Sequence, residues 1–260
     1  MNLFGVNYQK EGPGVEKDAP PQNAFVRFFS ILGRKFTDFI KLNLLFCIPV
    51  VLAAVLSYGL GLLVGNSYLA ALPLILISPF VGGITFVTRN YAREEHAFVF
   101  SDFMDGVKNN WKAFLINGVL CYAILFLLEL AIRFYSAQCA GNSVFILPLA
   151  VCSGIGILFL FAQYYVPVMI VMFDLNLFQI YKNAFIFAMA GLWRNILLTV
   201  MLGVLWLILY FMQIMPLTLI IGILLLLLLY FSLSFFLINF TVYPMIVKYL
   251  VRPDDGEKKD

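Results

Sequence analysis

Three stretches of this chain carry no charged residue: 47 positions between Lys41 and Arg89, 40 between Arg133 and Asp174, and 53 between Arg194 and Lys248. A helix crosses a hydrocarbon core of roughly 30 Å with about 20 apolar residues, so each stretch has room for two crossings and a tight turn. The turns can be read directly. "VGNSY" (64–68) interrupts the first stretch and "QCAGNS" (138–143) the second. In "QIMP" (213–216), Gln213 stops one helix and Pro216, with no amide hydrogen to lose, opens the next. A further charge-poor helix, from Ala113 to about Tyr135, leads into the second stretch. The pattern predicts six spans, at about 42–64, 67–90, 112–136, 143–172, 194–213 and 217–247. The last is longer than a crossing requires and is expected to tilt or protrude.

Composition agrees with the pattern. Hydrophobic residues make up 63% of the chain and charged residues 12%, against roughly a quarter charged in a soluble domain. The expected fold is all-α, a polytopic integral membrane protein. Residues 1–22 read as a solvated tail, 23–250 as the membrane domain and 251–260 as a second tail. The opening "MNLFGVNYQKEGPGVEKDAPPQ" has no apolar core of a signal peptide, so the first span is expected to serve as an uncleaved insertion signal. Sixteen of the 17 Lys and Arg residues fall before the first span, around the loops near 89–112 and 173–194, or after the last span; only Arg133 lies toward the other side. Loops rich in Lys and Arg stay in the cytoplasm, so both termini and both long loops are expected there. The net charge of +3 suits that face to anionic lipid headgroups.

The chain also repeats itself. Amphipathic stretches at 23–41, 99–112 and 176–194 each precede an outward and a returning span. The second and third end in Trp-basic pairs, Trp111-Lys112 and Trp193-Arg194, which are expected to anchor the start of a span at headgroup level. "VPVMIV" (166–171) and "VYPMIV" (242–247) match in the returning spans, and Pro79 lies in the first one. Three hairpin units follow, about 22–90, 98–174 and 175–250, each led by an interfacial helix, with kinks expected at Pro79, Pro167 and Pro244.

Candidate chemistry is sparse. The polar island "REEHAFVFSDFMDGVKNNWK" (93–112) holds the single histidine, His96, with Glu94, Glu95, Asp102 and Asp105. As a metal or acid–base cluster it lacks the several His or Cys ligands that zinc favours. The alternative is an interfacial helix capped by Asp102, with Phe103, Val107 and Trp111 in lipid. Asp102, Asp105 and Lys108 would then share its aqueous face as a candidate docking surface for a basic partner. Glu129 and Arg133 form the one charged pair within a span, four residues apart. From Lys112 they lie about 25 and 31 Å along the helix, at the far edge of the core. That depth favours a snorkelling pair over an ion relay. The four cysteines show no metal or redox spacing and read as apolar fillers. Nucleotide-binding and hydrolase motifs are absent, so neither an enzyme nor a cofactor is expected, and no nucleic-acid partner.

The segments "GPGVEKDAP" (12–20), "FFSILGRKFTDFIKLNLLFCIPVV" (28–51) and "SPFVGGITFVTRNYAREEHAFVFSDFMDGVKNNWKAF" (78–114) resemble the bacterial YesL family. Beyond about residue 115 the likeness is chiefly hydropathy. The resemblance implies a bacterial cytoplasmic membrane protein without established biochemical activity, accessory to a carbohydrate importer or its sensor. It marks the turn at Pro79, Gly82 and Gly83 and the loop through Arg93, Asp102 and Trp111. Two functions stand side by side. One is a non-catalytic partner in the bilayer. The other is a small-solute transporter with a path between the hairpin units, using Asn117, Gln163, Tyr164, Tyr165 and Asn239.

Overall fold

A computed structural model describes residues 23–139 and 141–251, and every regular element among them is helical. Asn23 caps α1 (Ala24–Arg34) through its side chain, which accepts the Phe25 N–H. The first span, α2 (Phe36–Val64), ends at Gly65, whose φ of 64° is a left-handed cap favouring glycine. Asn66 caps α3 (Ser67–Ala71), which runs through a 3₁₀ segment (Leu72–Ile77) into α4 (Ser78–Ala92). One 41-residue helix, α5 (Val99–Cys139), follows. Then come α6 (Ile146–Met172), α7 (Leu177–Ala190) and α8 (Leu192–Ile214). The chain closes with α9 (Leu219–Leu225), a π segment (Leu226–Tyr230), α10 (Phe231–Ile246) and a second π segment (Val247–Val251).

Six helical stretches are long and apolar enough to cross a membrane: Phe36–Val64, Ser67–Ala92, Val99–Cys139, Ser143–Met172, Leu192–Ile214 and Leu219–Val251. This is an all-α, multi-pass membrane architecture of three hairpins. Apolar side chains face outward along it, Leu62, Leu147 and Ile220 each 72% exposed, as expected of surfaces solvated by lipid tails. The tails 1–22 and 252–260 lie outside the described residues.

Three local expectations change. The stretch 99–112 is no separate interfacial helix, because it continues unbroken into α5, with neither Gly-Pro punctuation nor a cap between Lys112 and Ala113. Phe103, expected in lipid, is 1% exposed and packs in the core, while Val107 is half-buried and Trp111 is exposed. The cause is a close crossing of α4 and α5. A Cβ added to Gly83 would lie 2.7 Å from the Phe103 carbonyl oxygen, and one on Gly106 would lie 2.8 Å from the Phe86 Cβ. Small residues let the two backbones meet, and where lipid is as apolar as Leu such packing carries helix association. Finally, Pro79 is no mid-helix kink. It stands in the first turn of α4, where a missing N–H is harmless, whereas Pro167 and Pro244 lie inside α6 and α10, and Pro49 inside α2.

α4 is central, packed against α5, α6 and α10. One core gathers Phe39, Tyr91, Phe103 and Phe236; the other gathers Tyr165, Met169, Phe187 and Val242. Phe236 of the last span stacks on Phe28 of α1 at 4.9 Å and meets the edge of Phe39 at 5.1 Å.

Candidate functional site

The end of α4 sets the geometry of one face of the bundle. The Glu94 N–H donates to the Tyr91 carbonyl and the Glu95 N–H to that of Asn90, the paired bonds of a Schellman ending. The left-handed position in that motif usually holds glycine, yet here Glu94 has φ of 59°. Its carboxylate explains the choice. Arg27 Nε donates to Oε1 at 2.8 Å and Arg34 Nη2 to Oε2 at 2.7 Å, so α1 is clasped to the α4–α5 turn. Arg27 also donates to the Ala92 carbonyl. The Arg34 hydrogen bond, and then that of Arg27, holds the Glu94 carboxyl below the usual carboxylate range, against an opposing effect of desolvation. Lys35 donates to the Glu95 carbonyl and lies over the Tyr91 ring at 4.6 Å. Its burial pulls the ammonium below its ordinary pKa, with Asp38 partly opposing.

Beside the clasp opens a cleft of about 1400 Å³, lined by α1, the 92–95 turn, the start of α8 and the end of α10. Arg27, Arg93, Arg194 and Lys248 bring positive charge to it, against the single carboxylate of Glu95. Arg93 pairs with Glu95 and lies 5.9 Å from the Tyr243 ring centre. A second, smaller cleft runs past His96, Asp38 and Lys41, with His96 edge-on to Phe98.

The residues singled out from sequence are dispersed. Asp102 accepts the Phe98 N–H at 3.1 Å and so caps the start of α5. Asp105 and Lys108 are exposed on that helix. Trp111 and Trp193 are exposed at 46% and 81%. Glu129 and Arg133 form an exposed ion pair one helical turn apart. Among the described residues, no three His, Cys, Asp or Glu side chains gather to hold a metal ion.

The polar groups inside the bundle are matched mainly to one another. Tyr165 donates to Asn195 Oδ1 at 2.8 Å, and Tyr164 shares a hydrogen bond with Thr199 at 2.9 Å. Tyr181 donates to Asn117 Oδ1 and accepts from Gln163; burial raises its hydroxyl above the ordinary pKa. Asn239 donates to Thr88 Oγ1 at 3.0 Å and to the Phe235 carbonyl. Arg89, 9% exposed, donates to Asn90 Oδ1 and to the Val171 carbonyl in the last turn of α6, where the helix dipole favours a cation.

Sequence reading passed over Asn43. Its amide donates to the carbonyls of Leu226 and Leu227 at 2.9 and 2.7 Å, and its Oδ1 accepts the Ser232 N–H at 2.9 Å. The π segment Leu226–Tyr230 forms around this intrusion, since backbone groups freed from the α-helical ladder are taken up by Asn43. A fully buried Asn in an otherwise apolar span was the available signal. The Arg27–Glu94–Arg34 clasp offered none, because its members lie 60 and 67 residues apart.

Residues 39–131 match the family described as a protein of unknown function, DUF624. The matched segment covers less than half of the chain; it includes Asn43, the α4–α5 crossing and the Glu94 turn. No curated protein and no solved structure matches this chain.

Proposed function

We propose that this chain is a non-catalytic membrane partner, accessory to a carbohydrate importer or its sensor, with both termini and its basic end in the cytoplasm of a bacterium. The observation that carries the reading is the distribution of polar groups. Within the spans, Asn43, Asn117, Gln163, Tyr164, Tyr165 and Asn239 hydrogen-bond to neighbouring helices or their own backbone, which supports a role as helix glue. Among the described residues four buried side-chain atoms lack a partner, on Ser57, Thr85, Tyr91 and Asn239, whereas a solute path would favour a convergent set of unmatched groups at the midplane. The charged side chains of α1, the 93–95 turn and the start of α5 stand at one end, where a soluble subunit can reach them. The carbohydrate link rests on the likeness of residues 12–20, 28–51 and 78–114 to the YesL family. The docking surface of this reading is Asp105 and Lys108, with Asp102 behind them.

Purification from membranes in mild detergent tests it. The expected result is an importer or sensor subunit at stoichiometric yield, lost on Asp105→Lys with Lys108→Glu while the protein stays abundant. Uptake of a solute by the purified protein alone in vesicles would instead support the transporter.

A further inference from the structure

We propose that the cleft at the basic end binds the phosphate headgroup of an anionic phospholipid. Four cations and one carboxylate line it. Two of the cations already have a carboxylate partner, Arg27 with Glu94, which it shares with Arg34, and Arg93 with Glu95. Arg194 and Lys248 have no carboxylate within salt-bridge distance among the described residues. Two positive charges therefore face the cleft with no carboxylate in the described chain to answer them, Lys248 meeting only the Tyr249 ring at 5.3 Å. A phosphate diester does so with strong acceptor oxygens.

The position selects a lipid over a dissolved phosphate. Arg194 follows Trp193 at the start of α8, and Lys248 lies in the closing turn of the last span. Tryptophan settles at the level of the headgroups, so the cleft opens where lipid phosphates lie. Basic pockets between membrane helices at that level suit anionic lipids. The rest of the lining points the same way. Leu197, Pro244, Val247 and Val251 give the cleft an apolar wall, of use to a glycerol backbone and its first methylenes but not to a small soluble anion. Its volume of about 1400 Å³ exceeds the roughly 300–1,000 Å³ of an ordinary small-molecule pocket. This site stands whether or not a protein partner exists.

The test uses the full chain purified in mild detergent, with dioleoylphosphatidylglycerol or dioleoylphosphatidylcholine added. Lipid retention is read by native mass spectrometry and thermal stability by the melting midpoint. The expected result is preferential retention of phosphatidylglycerol with a raised midpoint. Arg194→Ala with Lys248→Ala should weaken retention about thirtyfold, and Lys248→Gln alone about fivefold. Lys182→Ala, exposed and outside the cleft, should change nothing. The single variant decides the matter if the double one does not fold. Equal retention of the two lipids, or undiminished phosphatidylglycerol retention by Lys248→Gln, overturns the proposal. So does a midpoint raised by millimolar inorganic phosphate but not by phosphatidylglycerol, which would assign the cleft to a phosphorylated solute.

Discussion

Asn43 Oδ1 accepts the backbone N–H of Ser232 at 2.9 Å, across 189 positions of sequence, while the Asn43 amide holds the two carbonyls that the π segment sets free. First and last spans are thus stitched by one side chain. Asn43→Leu leaves those backbone groups unmatched in an apolar interior. At about 0.6 kcal/mol for each interhelical hydrogen bond, the expected destabilisation is about 2 kcal/mol, read as a lower midpoint of thermal unfolding in detergent. An unchanged midpoint would show that the π segment stands without it.

The crossing of α4 and α5 makes a steric prediction. Gly83→Ala puts a methyl 2.7 Å from the Phe103 carbonyl oxygen, a backbone atom with little freedom to retreat. Overpacking of this kind costs about 1–3 kcal/mol, so folded yield should fall. Gly203→Ala, with open space around the added methyl, should be neutral or slightly stabilising. Fluorescence-detected size exclusion of the two variants distinguishes them.

The sequence revealed the spans because uncharged length is a one-dimensional property. It concealed whatever depends on contact between distant elements. Nothing local says that Phe103, drawn to lipid by its spacing from Val107 and Trp111, faces Gly83 of the preceding helix. Nothing local says that Glu94 should adopt a left-handed backbone, since the two arginines that hold it lie in another element. The Asp102 cap was legible, because a cap is a relation between near neighbours. The cleft was not, because its cations come from four separate parts of the chain.

Glu94 titrates in a known direction. Its folded pKa is lowered, so the clasp contributes fully above the ordinary carboxylate range and fades as pH falls through the lowered value. Stability owed to Glu94 should therefore be flat from pH 7 to 5 and decline only in stronger acid. Glu94→Gln should remove that acid limb from the melting-midpoint profile. Glu94→Gly should relax the backbone but still release α1, seen as faster proteolysis near Arg34.

The exposed pair at the far end is expected to be tolerant. Glu129→Gln with Arg133→Gln should lower stability by less than about 1 kcal/mol, the range of surface ion pairs, and leave any host phenotype intact. Loss of that phenotype on Glu129→Gln alone, with expression preserved, would favour an ion relay.

Orientation can be read by labelling. With Cys47, Cys121, Cys139 and Cys152 all replaced by serine, single cysteines at Ser101 or Lys182 should resist an impermeant thiol reagent in intact cells, and those at Asn66 or Asn142 should react. Labelling at Ser101 would invert the arrangement.

Phe236 belongs to the last span, yet its neighbours Phe28 and Phe39 belong to the first helices made. During synthesis Phe39 can meet Tyr91 of the second span, but the stacking of Phe28 on Phe236 and the partners of the Asn43 amide must wait for the final span. Until then the nascent protein presents a buried-type polar group to lipid. Docking of the last span, rather than emergence of any one hairpin, is the event that removes this group from lipid.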